Sequence, residues 1–333
     1  MVDWCDTSGE RWNNEQPATA SVNQTLGPGP EFDRIRAILH RLGSTAHGIG
    51  DDCAIVQVGT ECLALSSDLS LEGVHFRRGW LSLEEIGWRA ATAALSDLAA
   101  VAATPAGILV SVGLSPELPE DAAAELMAGA GAAADAAGAT VWGGDLTRSE
   151  KIVVDVAVVG RMEGEPVLRK GAVAGDGLWV TGVLGGPAAA LAAWVRNEEP
   201  EASARERFAH PVARVAEAKW LRDRGATAMI DLSDGLSGDV SHLAAASGVR
   251  CEIEVEKVPT GGRADGQTGA LTSGEEYELL VALPSTLRQD MATEFESKFG
   301  IPLTRIGAAS AGAGVRIIRN GQTIQVPGAF SHF

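Results

Sequence analysis

Lysine is scarce in this chain. Its 333 residues hold five, Lys151, Lys170, Lys219, Lys257 and Lys298, and none of them follows a glycine. The G-x-x-x-x-G-K-[ST] loop that cradles nucleotide phosphates in many kinases is therefore absent. No G-x-S-x-G elbow and no H-E-x-x-H occurs either, which removes the commonest hydrolase and metalloprotease signatures. Positive charge as a whole is in short supply, with 27 Lys and Arg against 44 Asp and Glu and a net charge of −17. Nucleic-acid affinity rests on neutralising phosphates with basic side chains, so DNA and RNA are excluded as partners. Four cysteines, Cys5, Cys53, Cys62 and Cys251, are scattered with no C-x-x-C and no His at zinc-site spacing. They are expected to be structural thiols of a reducing, cytoplasmic compartment. The longest apolar run, residues 98–114, is broken by Thr104-Pro105-Ala106-Gly107 and is too short to span a membrane. It reads as a buried helix end followed by a buried strand. Residues 1–30 lack the apolar stretch of a secretory signal and, with Gly27-Pro28-Gly29-Pro30 at their end, are expected to form a disordered tail.

At 45% hydrophobic and 21% charged residues, the rest is globular, and its length exceeds what one core usually supports. Two domains are expected, 31–160 and 161–333, divided in the polar, Gly-rich stretch 161–176. Apolar periodicity predicts helices over 31–42, 83–103, 119–137, 187–195, 211–224, 236–246 and 286–299. Strands are predicted over 54–58, 62–66, 107–114, 140–142, 152–159, 178–181, 227–230, 251–255, 277–283 and 303–306. Asn320-Gly321 between 315–318 and 323–326 is a hairpin signal. Alternating strands and helices indicate an α/β or α+β chain. Gly129-Ala130-Gly131-Ala132-Ala133-Ala134 meets the loose dinucleotide pattern, yet it lies mid-helix with no strand before it, where close helix packing is the simpler reading.

What the chain does contain is a set of aspartates in short Gly/Ser-rich punctuations: Asp51 and Asp52, Asp68, Asp97, Asp145, Asp231 and Asp234. Adjacent carboxylates in one loop repel unless a cation or donors neutralise them, and Asp97 interrupts an apolar helix, where an unpaired charge is costly. Each motif alone is also explained by a solvated turn or a helix cap. Taken together, they suggest one shared site for Mg²⁺, which takes carboxylate oxygens and bridges them to a nucleotide's phosphates. A scaffold that holds Ca²⁺ is the rival reading, although the EF-hand pattern is missing. His75, beside Arg77-Arg78, and the acidic turn Glu275-Glu276-Tyr277-Glu278 are candidate contacts for a second substrate.

In chain order these motifs resemble the thiamine-monophosphate kinase family of the aminoimidazole-ribonucleotide synthetase-like superfamily. The resemblance runs from about residue 31 to the end. It is carried by Gly48-Ile49-Gly50-Asp51-Asp52, Ser67-Asp68, Gly73-Val74-His75-Phe76, Leu95-Ser96-Asp97-Leu98-Ala99-Ala100, Gly143-Gly144-Asp145, Asp231-Leu232-Ser233-Asp234-Gly235-Leu236 and Glu275-Glu276-Tyr277-Glu278-Leu279. It implies the two-domain fold of that superfamily, ATP as co-substrate, thiamine monophosphate as acceptor, and a homodimer paired through the N-terminal sheets. It further implies Mg²⁺ ligands at Asp52, Ser66, Ser67, Asp68, Asp97, Asp145, Asp231 and Asp234. ATP contacts are implied at Gly144, Asp145, Arg169 and Ser233, and acceptor contacts at His75 and Glu275. Phe330 is the aromatic in the C-terminal stretch where a ring of the family stacks on the substrate. Leu146 stands where many members carry Thr. A relative with another acceptor is the alternative, although the terminal functional cysteine of the superfamily's hydrogenase-maturation protein has no counterpart here.

Overall fold

The computed structural model describes residues 26–46, 49–260, 266–285 and 290–325. Helix α1 (Pro30–Leu42) is the first element, with proline at its first turn, acids at its start and His40 and Arg41 at its end, as the helix dipole favours. Residues 26–30 do not belong to the expected disordered tail, since Leu26 is buried and Arg36 donates to the Gly27 carbonyl at 3.0 Å. Residues 1–25, the Gly48 turn, the start of the helix predicted over 286–299 and Phe330 lie outside the described residues.

The first sheet has the order β1-β2-β5-β3-β4, from strands β1 (Ala54–Val58), β2 (Glu61–Leu71), β3 (Thr104–Leu114), β4 (Thr140–Arg148) and β5 (Val153–Arg161). All its neighbours are antiparallel except β3 and β4. Helices α2 (Leu83–Ala100) and α3 (Ala122–Ala136) pack on one face. Alternation along β5 and β3 sends Val154, Val156, Val158, Ile108, Val110 and Val112 into that core. On the other face Leu69 and Leu109 remain exposed, and every residue of the edge strand β4 is exposed, Trp142 and Leu146 included.

The second sheet has the order β12-β11-β8-β10-β6-β9-β7. Its strands are β6 (Gly177–Thr181), β7 (Ala228–Asp231), β8 (Arg250–Glu254), β9 (Leu279–Leu283), β10 (Leu303–Ser310), β11 (Gly314–Arg319) and β12 (Gln322–Ile324). The helices of this half are α4 (Gly186–Val195), α5 (Ala202–Ala209), α6 (Val215–Arg222), α7 (Leu236–Ser247), α8 (Gly266–Thr272) and α9 (Met291–Phe299). The hairpin forms where expected, with Asn320 and Gly321 both at positive φ. Helices α5 and α8 were not predicted, and the region read as one helix over 211–224 yields only α6.

Two strands correct the sequence reading. Ser66-Ser67-Asp68 does not end a strand but lies within β2, with Asp68 opposite Val156. Gly143-Gly144-Asp145 likewise continues through β4, with Asp145 opposite Ser111. Gly144 is required there, because a Cβ at that position would overlap the Val110 carbonyl of β3. The two halves also pack on each other. Ala190, Ala204, Phe208 and Ala209 from α4 and α5 belong to the core of the first half, and Trp194 stacks on Trp80 with ring centroids 5.2 Å apart.

Candidate active site

Helix α2 is the element that assembles the site. Its start is fixed by a capping box, in which Ser82 accepts from the Glu85 N–H and Glu85 accepts from the Ser82 N–H. Arg89 and Ser96 are seven residues apart and so share one face after two turns, toward the second half. Ser96 donates to Asp231 at 2.6 Å, at the end of edge strand β7. Its neighbour Asp97 accepts from Ser66 of β2 at 2.5 Å. Asp52, in the loop before β1, completes the set: one carboxylate oxygen each of Asp52, Asp97 and Asp231 lies within 4.8 Å of the others. Three distant aspartates of the sequence thus converge, drawn from both halves of the chain.

The electrostatics follow from burial. Asp52 and Asp231 are buried, and one oxygen of Asp52, Oδ2, has no hydrogen-bond partner. Burial, with Asp52 adding repulsion, pushes Asp231 up to about 7. Asp97 is raised well above the usual carboxylate range by burial and then by Asp231, Asp52 and Asp68, which places the charge of Asp68 near the cluster. Asp51 also rises to about 7 through burial and its neighbour Asp52. Arg169 offsets part of this charge, with Nη2 and Nε donating to Asp52 Oδ1 at 2.6 and 3.2 Å. Like carboxylates crowded at low exposure, one oxygen unsatisfied, form a donor set suited to a hard divalent cation.

The acidic turn after α8 lies against the loop that follows Asp231. The Glu275 N–H donates to the Ser233 carbonyl at 2.7 Å and the Tyr277 N–H to the Leu232 carbonyl at 2.9 Å. Those bonds hold Glu275 and Tyr277 at φ of +60° and +51°, a left-handed conformation that costs a non-glycine residue about 1 kcal/mol. The Glu275 carboxylate pairs with Arg89 at 2.7 Å, and the Arg89 guanidinium stacks on Phe208 and donates to its carbonyl. Below it, Glu278 is buried against Arg214 at 2.6 Å and Arg207 at 3.0 Å.

Other candidates stand apart from the cluster. Ser67 points to the opposite face of β2, where it donates to Asp155 at 2.9 Å. Asp145 and Gly144 sit on exposed β4. Asp234 forms a second acidic group with buried Asp239 and His242 on α7. Ser233 lies between the two groups in the chain. His75 follows β2 in a tight turn, its Nδ1 accepting the Leu71 N–H at 3.0 Å. Sequence reasoning missed Arg89, Asp239 and His242. The signal for Arg89 was its seven-residue spacing to Ser96 in an Ala-rich helix. Cys53, Cys62 and Cys251 are free thiols. Among the described residues no helix is long and apolar enough to cross a membrane.

Two family models match the chain: AIR synthase related protein, N-terminal domain, over residues 50–162, and AIR synthase related protein, C-terminal domain, over residues 173–320. A thiamine-monophosphate kinase of Aquifex aeolicus is 33% identical over 91% of this chain and 98% of its own length. One of Mycobacterium tuberculosis is 36% identical over 69% of each chain. A solved structure described as AaThiL complexed with AMPPCP and TMP superposes with a TM-score of 0.79 at 32% identity, covering 91% of this chain and 97% of that one. On these matches and the α+β architecture of two sheets with their helices, the chain belongs to the thiamine-monophosphate kinase family of the AIR synthase related proteins.

Proposed function

We propose that the chain transfers the γ-phosphoryl group of ATP to the phosphate of thiamine monophosphate, giving thiamine diphosphate, in a site that also takes Mg²⁺. The observation that carries the reading is the convergence of Asp52, Asp97 and Asp231, with a buried, unpartnered Oδ2 on Asp52. Asp52, Asp68, Asp97 and Asp231 would hold the metal, while Asp234, three residues after Asp231, belongs to the second acidic group. When bound, Mg²⁺ supplies neutralisation of the phosphate oxygens between which the phosphoryl group moves. Ser66 and Ser96 orient Asp97 and Asp231. Arg169 and Ser233 meet the nucleotide. His75 and Glu275 take the acceptor, the latter held by Arg89. The acceptor phosphate is already deprotonated near neutral pH, so no side chain is assigned as general base.

Asp145, Gly144 and Ser67 fit this site through a second copy. Strands β5 and β3 separate β4 from β2, so Asp145 and Asp68 of one protomer are about 14 Å apart at ordinary strand spacing. A homodimer joined through the open face and edge of the first sheet would bring one protomer's β4 toward the other's β2. The exposure of Trp142, Leu146, Leu69 and Leu109 supports that pairing.

The test is to incubate purified protein with ATP, Mg²⁺ and thiamine monophosphate and to follow ADP and thiamine diphosphate. Asp231→Asn is expected to fold normally and to lose turnover by orders of magnitude; near-normal turnover would refute the site. Glu275→Ala is expected to raise the KM for thiamine monophosphate more than that for ATP, and equal effects on both would remove it from the acceptor side.

A further inference from the structure

Arg169 occupies an unusual position for a residue that is to meet a nucleotide. It lies on the connection between the two sheets, and its main chain is pinned on both sides. Its N–H donates to both oxygens of Asp51, at 3.0 and 3.3 Å, and its carbonyl accepts from Ser247 at 2.9 Å. The side chain instead grips Asp52 Oδ1 through two N–H groups. Burial opposes its charge, yet Asp52, Asp51 and Asp231 together keep it firmly protonated. Among the described residues, Arg169 is the cation that pairs with the converged carboxylates.

We propose that Arg169 is a built-in counter-ion that makes divalent-cation binding to the acid cluster depend on the nucleotide. The inference rests on the reading of Mg²⁺ and ATP as ligands of this cluster. A guanidinium and a divalent cation both against Asp52 repel each other. Displacing the guanidinium without offering it another anion leaves a buried charge unpaired, which is costly. A metal ion alone therefore competes with Arg169 and binds weakly. A phosphate changes the balance, since it matches the same two-pronged donor geometry and frees Asp52. With its main chain anchored, Arg169 has only to rotate its side chain from carboxylate to phosphate. The two ligands then bind with positive coupling, and the coupling is reciprocal.

The experiment titrates Mn²⁺ into the full chain, with free Mn²⁺ read by electron paramagnetic resonance. It is run with and without a non-hydrolysable ATP analogue and corrected for Mn²⁺ held by the analogue itself. For the wild-type protein the analogue is expected to tighten Mn²⁺ binding roughly tenfold or more, within the usual span of coupling energies. Arg169→Gln is expected to bind Mn²⁺ alone more tightly than wild type and to show coupling of no more than about threefold. Wild-type coupling in Arg169→Gln, or Mn²⁺ binding alone no tighter than wild type, overturns the proposal while the functional reading stands. Failure of the wild-type protein to bind Mn²⁺ in either condition overturns both. Should melting curves show Arg169→Gln to be unfolded, Arg169→Lys carries the test, because a point charge lacks the fork that grips Asp52. Weakened coupling is then expected, and undiminished coupling overturns the proposal.

Discussion

At the scale of single residues, burial decides the behaviour of the acid cluster. Asp231 and Asp51 titrate near 7 and Asp97 is raised well above its ordinary range, each chiefly because burial disfavours the charged form. On the proposed reading, a cation held by Asp231 and Asp97 would displace the protons that they retain. Mn²⁺ affinity is therefore expected to rise as pH goes from 6 to 8, and calorimetry in two buffers of different ionisation heat should register proton release. The stability of the ligand-free protein runs the other way. Folded-state pKa values above the unfolded ones give stability that is complete below about pH 4 and is lost as pH rises through about 7. The Tm without metal is expected to fall from pH 5 to pH 8 and to recover when Mn²⁺ is added; scanning fluorimetry checks both. These aspartates were legible in the sequence because carboxylates beside Gly and Ser in an apolar chain demand neutralisation. Their partners were not: nothing in the one-dimensional order tells that Ser96 reaches Asp231 or that Arg89 reaches Glu275, since both contacts depend on how α2 crosses the second half.

At the scale of elements, α2 and α3 approach each other backbone to backbone. A Cβ on Gly87 would overlap the Leu126 carbonyl, and one on Gly129 would overlap the Glu84 carbonyl. This is the packing that Gly129 of the loose dinucleotide pattern serves. Gly129→Ala is expected to cost about 1–3 kcal/mol by forcing the helices apart. Because α2 carries Ser96 and Asp97, turnover should fall with stability; urea unfolding and the ADP assay measure the two. Ser82→Ala removes the capping box and is expected to cost about 1 kcal/mol. Periodicity revealed the helices other than α5 and α8, and the Asn320-Gly321 hairpin, since these follow local rules. It misread β2 and β4, where Ser66-Ser67-Asp68 and Gly143-Gly144-Asp145 carry turn chemistry but hydrogen bonding to neighbouring strands keeps them extended. It missed α5, whose polar sequence ASARERFA gains its helix by burying Ala204, Phe208 and Ala209.

At the scale of the molecule, the dimer reading can be separated from a site complete in one chain. Asp145→Asn and Asp231→Asn are each expected to be nearly inactive. Co-expressed, they should recover roughly a quarter of wild-type turnover, because half the dimers are mixed and each mixed dimer holds one intact site. No recovery, or a monomer by light scattering, would confine Asp145 to its own chain. The family models divide the chain near residue 162–173, whereas the packing crosses that line in both directions. Phe208, Ala204 and Ala190 complete the first core, and Ala99 and Ala102 enter a core of the second half. A chimera that took its front from one relative and its back from another would thus inherit mismatched interiors even with every ligand-bearing motif intact. New acceptor preferences are more accessible by point changes around the rim than by exchanging halves.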